Sequence, residues 1–243
     1  PLISLDRSLS ETIQYLVASD PEQQREIVEI NRARDAIEYL HIEMPELVFI
    51  DFSDERLDGF ALLEIMLSDP WLLHGGIVAV CRSYKTVKKI DQHKGANIVV
   101  TLTVDDLERD LPKVMQIIDK NRRILYQREI GADFVGNISG SFQLDNDPIE
   151  ARCYANLICN FLYNSNKLDA NKKYSLNLAL YELLINAIEH GNCGITYEEK
   201  SAWLDNGGYI EDLIRERTGD GNIKGETVTF EYALTPGSAS FLI

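Results

Sequence analysis

Short apolar runs alternate with longer mixed stretches through residues 1–105. The runs are Leu2–Leu5, Glu26–Ile30, Leu47–Ile50, Ile77–Val80 and Ile98–Leu102. Between them, helical spacing of apolar positions appears at Ser10–Ala18, Ala33–Ile42, Gly59–Leu67 and Ser83–His93, and another such pattern starts at Asp105. This alternation predicts an α/β fold with a doubly wound, five-stranded parallel sheet covered on both faces. Unbroken runs such as Leu47-Val48-Phe49-Ile50 fit strands buried on both sides.

From Asp105 the pattern predicts one long helix reaching Ile130, with Pro112 complicating its first turns. Apolar residues recur at Leu111, Val114, Ile118 and Leu125. That spacing suggests a short coiled-coil seam and a homodimer through this connector. The same residues also fit a last helix packing on its own sheet. Residues 131–140 break the pattern, which divides the chain into domains at 1–118 and 139–243 with a connector at 119–138. After the break, residues 139–145 read as a strand and Asn146-Asp147-Pro148 as a turn. Ile149–Asn164 then reads as a helix with Ala155, Ile158, Cys159 and Leu162 on one face. A further helix spans Tyr174–His190, with Gly191 as its stop signal.

That last helix has an unusual polar stripe. Glu182, Asn186 and His190 are spaced four apart, so they form one narrow line along the helix. Leu176, Leu180, Leu183, Leu184 and Ala187 lie on the adjacent face, and Leu178 and Ile185 make the other flank apolar. Polar groups buried among such neighbours need partners, since each unpaired group costs roughly 1–3 kcal/mol. A nucleotide with its metal would provide them. A helix with one solvated stripe explains the spacing equally well.

Charge and cysteine usage narrow the picture. With 24 Lys plus Arg against 39 Asp plus Glu the net charge is −15, which argues against a nucleic-acid partner. No apolar run approaches the roughly 20 residues that span a bilayer, and the start lacks a basic stretch followed by an apolar one. Cys81, Cys153, Cys159 and Cys193 form no Cys-x-x-Cys pair. Reduced thiols in a cytoplasmic protein without a membrane partner are expected. The start at Pro1 and the apolar Phe241-Leu242-Ile243 suggest a chain cut at both ends.

Acidic residues stand where a parallel sheet places its ligands, beyond the carboxyl ends of strands: Asp6 after the first run and Asp51 after the third. Leu47-Val48-Phe49-Ile50-Asp51 followed by Leu57-Asp58-Gly59-Phe60 resembles the phosphoacceptor strand and loop of response-regulator receiver domains, and Gly95-Ala96 before the fifth run is similar too. The resemblance covers residues 1–118. It implies Asp51 as phosphoacceptor, with Asp6 and Asp51 holding Mg²⁺, and a histidine kinase upstream. Three expected site residues differ. Arg7 stands where a second acid is usual, Cys81 where the family has Ser or Thr, and Leu102 where it has Lys. The Arg7 guanidinium could take the metal position and pair with Asp51. A site without its charge partners loses electrostatic stabilisation, so a degenerate receiver kept as a scaffold is expected.

Glu182-Leu-Leu-Ile-Asn186-Ala187-Ile188-Glu189-His190-Gly191-Asn192 resembles the N-box of histidine-kinase-like ATPases, in the branch of the anti-sigma-factor serine kinases. Gly194–Lys200 and Phe230–Pro236 are similar to the same branch. This resemblance spans residues 139–243 and implies a two-layer domain, a mixed sheet with helices on one face. It implies ATP and Mg²⁺ as cofactors, Asn186 as metal ligand, Glu182 as the base acting on an attacking hydroxyl, and His190, Gly191 and Asn192 beside the phosphates. In that family a strand like Ser238–Ile243 leads into an adenine-binding Asp-x-Gly-x-Gly loop, and a second glycine-rich segment forms a lid. Neither segment occurs within residues 139–243; Gly219-Asp220-Gly221-Asn222 precedes the strand and reads as a hairpin or loop. Either the ATPase domain is incomplete at its C-terminus, or the protein does not bind nucleotide.

Together the resemblances imply a bacterial two-component-type regulator. A receiver half would control a serine/threonine protein kinase half, acting on a small signalling protein such as an anti-sigma-factor antagonist. The alternative is a non-enzymatic module in which both halves capture a partner.

Overall fold

The computed structural model describes residues 1–18, 25–54, 56–69, 72, 75–122, 137–219 and 226–243. It divides into two compact units, Pro1–Arg128 with Asn156–Lys173, and Glu129–Ala155 with Tyr174–Ile243. The division therefore differs from boundaries at 118 and 139. The stretch 156–173, assigned by sequence to the second domain, groups with the first unit.

In the first unit five parallel strands, β1 (Leu2–Ile3), β2 (Glu29–Ile30), β3 (Leu47–Asp51), β4 (Gly76–Cys81) and β5 (Ile98–Thr103), lie in the order β2-β1-β3-β4-β5. The connecting helices are α1 (Arg7–Ala18), α2 (Ala33–Glu43), α3 (Gly59–Ser68) and α4 (Tyr84–Asp91), with α5 (Leu107–Lys120) following β5. One apolar core joins Ile50, Ala79 and Cys81 of the sheet to Leu40 of α2, Leu63 of α3 and Ile90 of α4. Helices α1 and α5 pack against each other, and Leu9, Ile13 and Val17 of one and Leu111, Val114 and Ile118 of the other are buried. The apolar residues of the expected dimer seam are thus spent inside the unit. Leu125 and most of the connector, 123–136, lie outside the described residues.

Strand β5 is an edge, and edges present unpaired backbone groups. Here side chains cover it. In helix α6 (Pro148–Asn164), Asn156 Nδ2 donates to Val99 O at 2.8 Å and Asn160 Nδ2 to Ile98 O at 2.9 Å. Lys173 Nζ donates to Ala96 O at 2.6 Å. Helix α6 buries far more than its predicted face. Cys153, Tyr154, Leu157 and Phe161 are buried along with Ala155, Ile158, Cys159 and Leu162.

The second unit has a three-stranded sheet of β6 (Ile138–Leu144), β7 (Val228–Leu234) and β8 (Ala239–Leu242), in that order. All its described pairings are antiparallel, which corrects the expected mixed sheet. Along β7 the inward residues Val228, Phe230, Tyr232 and Leu234 alternate with exposed ones, the period-two pattern of a sheet covered on one face. Phe142 of β6 packs on the rings of Tyr154, Phe230 and Tyr232. Tyr232 sits opposite Gly140, where an added Cβ would lie 2.5 Å from its hydroxyl oxygen, so the ring needs glycine there. Helix α7 (Ala170–Asn186) continues into a π-helical segment, Ala187–Asn192, followed by α8 (Tyr197–Asp205) and α9 (Ile210–Gly219). Thr196 and Glu199 close a capping box at the start of α8. The expected hairpin at 219–222 lies largely outside the described residues; Gly219 ends α9.

Candidate functional site

Two groups of predicted site residues exist, one in each unit. In the first, Asp51 ends β3 with no exposed surface. Its carboxylate is filled by neighbours: Ser4 Oγ donates to Oδ2 at 2.8 Å, Ser53 N donates to Oδ1 at 2.8 Å, and the Ser53 hydroxyl also donates to Oδ1. Asp6 caps α1, since its Oδ1 accepts from Ser8 N at 3.0 Å and Leu9 N at 3.1 Å. That cap explains why α1 starts at Arg7, ahead of its sequence-predicted start at Ser10. The other oxygen, Oδ2, is 2.5 Å from Nη2 of Arg82. Asp6, Asp51, Ser53, Asp54 and Arg82 together line a cleft of about 290 Å³.

The Arg7–Asp51 pair does not form. Arg7 is the first residue of α1 and points to solvent, where it pairs with Glu11 at 2.9 Å across one helical turn. The guanidinium at this cleft belongs to Arg82, immediately past the carboxyl end of β4. Asp54 is held by Arg56 at 2.5 Å, and hydrogen bonds from that guanidinium pull its carboxyl down to about 2. Cys81 is buried, which raises its thiol pKa, and its Sγ faces Ser83 O at 3.6 Å. In register Cys81 stands opposite Thr103, whereas Leu102 pairs with Val80 and is buried. Asp58 does not join the cleft lining; it caps α3 by accepting from Ala61 N at 3.0 Å. Among the described residues no group of three or more His, Cys, Asp or Glu side chains is placed to hold a metal ion. Asp6 and Asp51, the carboxylates expected to hold Mg²⁺, both already accept hydrogen bonds from within the chain.

Ser4, Ser53 and Arg82 were not singled out by the sequence. A signal existed, because each stands within two residues of a strand's carboxyl end, where open parallel sheets place ligands.

In the second unit Glu182, Asn186 and His190 are all exposed. Leu180, Leu184, Ile185 and Ile188 turn inward, while Leu178 and Leu183 are also exposed. The stripe is thus solvated. Glu182 and Asn186 make no side-chain hydrogen bond or ion pair among the described residues, so a carboxylate and an amide stand free one turn apart. In identity and availability they fit a hydrated magnesium nucleotide.

Beyond Asn186 the π segment redirects the side chains. In a regular α-helix Glu189, seven residues after Glu182, would lie almost above it, about 700° around the axis. The segment is wound as a π-helix, with Cys193 N donating to Ile188 O at 2.8 Å, and Glu189 within it is fully buried. There its Oε2 is 2.5 Å from Nζ of Lys200 and 3.8 Å from Nε2 of His190, while Oε1 is buried without a partner. Nδ1 of His190 lies 2.7 Å from Ile195 O; a carbonyl only accepts, so Nδ1 carries the hydrogen. Asn192 is partly committed, since its Nδ2 donates to Asn146 Oδ1 at 2.7 Å. Gly191 is exposed with open space at its missing Cβ, and the left-handed residue that ends this run is Gly194, φ 60°. The predicted stop therefore falls three residues early. The four cysteines are free thiols, as expected, and all are buried.

No protein-family model, curated protein or solved structure matches this chain.

Proposed function

We propose that this chain is a signalling regulator of two-component type, in which a doubly wound receiver-like unit accompanies an ATP-binding, kinase-like unit. The observation that carries the reading is the free Glu182 carboxylate and Asn186 amide, exposed one turn apart on α7 ahead of His190. The side-chain oxygen of Asn186 would hold the Mg²⁺ of a bound nucleotide, and the metal would offset phosphate charge. Glu182 would take the proton from an attacking hydroxyl. His190, oriented by the Ile195 carbonyl, and the exposed backbone at Gly191 would lie beside the phosphates. Asn192 contributes less, because its amide already holds Asn146. The substrate class is the hydroxyl side chain of a small cytoplasmic signalling protein, of which an anti-sigma-factor antagonist is the type.

Calorimetry of the full-length protein with Mg-ATP tests the reading, because residues 139–243 contain no adenine-binding loop and this chain alone should bind weakly or not at all. Saturable binding that Asn186→Ala largely removes is expected, and equal affinity in the two proteins overturns it. A second reading, partner capture without catalysis, draws on the exposed Leu178 and Leu183 beside the stripe and on the internally satisfied Asp51. Tight partner binding with no phosphoryl transfer favours it.

A further inference from the structure

The cleft at the carboxyl ends of β1, β3 and β4 contains Asp6, Asp51 and Asp54, a set that in isolation would attract a divalent cation. Each of the three is already compensated from within the chain. Asp51 takes donors from Ser4 and Ser53. Asp54 takes Nε and Nη2 of Arg56, at 3.0 and 2.5 Å. Asp6 gives one oxygen to the α1 amides and the other to Arg82 at 2.5 Å.

We propose that Arg82 supplies, as a fixed part of the chain, the positive charge that this cleft would otherwise draw from a divalent cation, so that the cleft is closed to metal. Mg²⁺ requires several oxygen ligands in near-octahedral array and gives up its waters reluctantly. To enter, it must displace a guanidinium from Asp6 and take Asp51 oxygens away from hydroxyl and amide donors that would then lack partners. A guanidinium stays charged throughout the physiological range, and its local concentration does not fall when that of free cation does. The unit therefore holds one charge arrangement whatever the Mg²⁺ level. This inference concerns the first unit alone and stands or falls independently of nucleotide binding at α7.

The test is thermal unfolding of the whole chain, without nucleotide, in millimolar Mg²⁺ or Mn²⁺ against NaCl of equal ionic strength. Wild type should unfold at the same temperature in all three. Arg82→Gln should unfold at a higher temperature in the divalent salts than in NaCl, and adding Asp6→Asn to it should abolish that difference. A wild-type response to the divalent ions that Asp6→Asn removes overturns the proposal, as does an Arg82→Gln variant indifferent to them. Should Arg82→Gln fail to fold, calorimetric titration of wild type with Mn²⁺ decides: saturable binding lost in Asp6→Asn overturns the proposal, and no binding supports it.

Discussion

The ammonium of Lys200 lies 2.5 Å from Oε2 of Glu189, a carboxylate with no exposed surface. The pair links the π segment to α8, eleven residues on. Its two ends are unequal, because Lys200 keeps some exposure and Glu189 has none. Losing the lysine strands a buried negative charge whose other oxygen is already unpaired. Losing the glutamate leaves an ammonium that can swing to water.

Lys200→Met should therefore destabilise more than Glu189→Gln. The lysine variant is expected to lose roughly 3 kcal/mol, the scale of a broken buried pair. Urea unfolding should show the larger drop in midpoint for Lys200→Met, with the double variant recovering part of it. Equal losses would contradict the burial asymmetry.

Lys173 should give the protein an alkaline stability rise. Its ammonium is buried against Ala96 O and the Tyr163 ring, and burial pushes its pKa down from 10.5 to about 8, with Cys159 acting weakly the other way. The folded state then binds fewer protons than the unfolded state between those values, so this group's contribution to stability rises with pH there. Below about 8 both states are protonated and the burial cost is fully felt. Lys173→Met should lack this rise. The difference in unfolding free energy between variant and wild type, measured across that window, should shrink as pH increases; a constant difference would remove Lys173 as its source.

Asp58 starts α3 in the left-handed region, φ 47°, while its side chain accepts from Ala61 N. Alanine loses the cap and tolerates this backbone poorly, whereas Asn keeps both features. Asp58→Ala should cost about 1–2 kcal/mol, from about 1 for the cap and a further part for the backbone. Asp58→Asn should be nearly neutral. Thermal unfolding followed by circular dichroism distinguishes them.

In the full-length protein, Glu182→Gln should keep Mg-ATP affinity and lower phosphoryl transfer to a partner protein by roughly 10²–10⁴-fold, the usual contribution of a positioned acid or base. Labelled ATP with a co-encoded small protein reads the transfer. Undiminished transfer would remove Glu182 from the mechanism.

The sequence by itself determined the order and type of the elements of the first unit, although the runs Leu2–Leu5 and Glu26–Ile30 form strands only at Leu2–Ile3 and Glu29–Ile30, and α5 stops at Lys120. Leu47–Asp51 and Gly76–Cys81 extend their expected apolar runs by one residue or one at each end, and helices α2 and α3 run one residue longer than expected. Such elements are legible because burial on a strand or helix repeats with a local period. The free Glu182 and Asn186 were legible for the same reason, although spacing left open whether their stripe faced solvent or a ligand. Only the tertiary structure decided what pairs with what. Arg82 reaches Asp6 across 76 positions of chain, while Arg7, beside Asp6 in sequence, turns away because the helix it begins points its side chain to solvent. Glu189 is buried with Lys200 of α8 as its ion-pair partner, eleven residues on, which no period along one helix reveals. Periodicity is a property of neighbours in sequence; charge pairing and burial depth belong to residues that the fold alone makes neighbours.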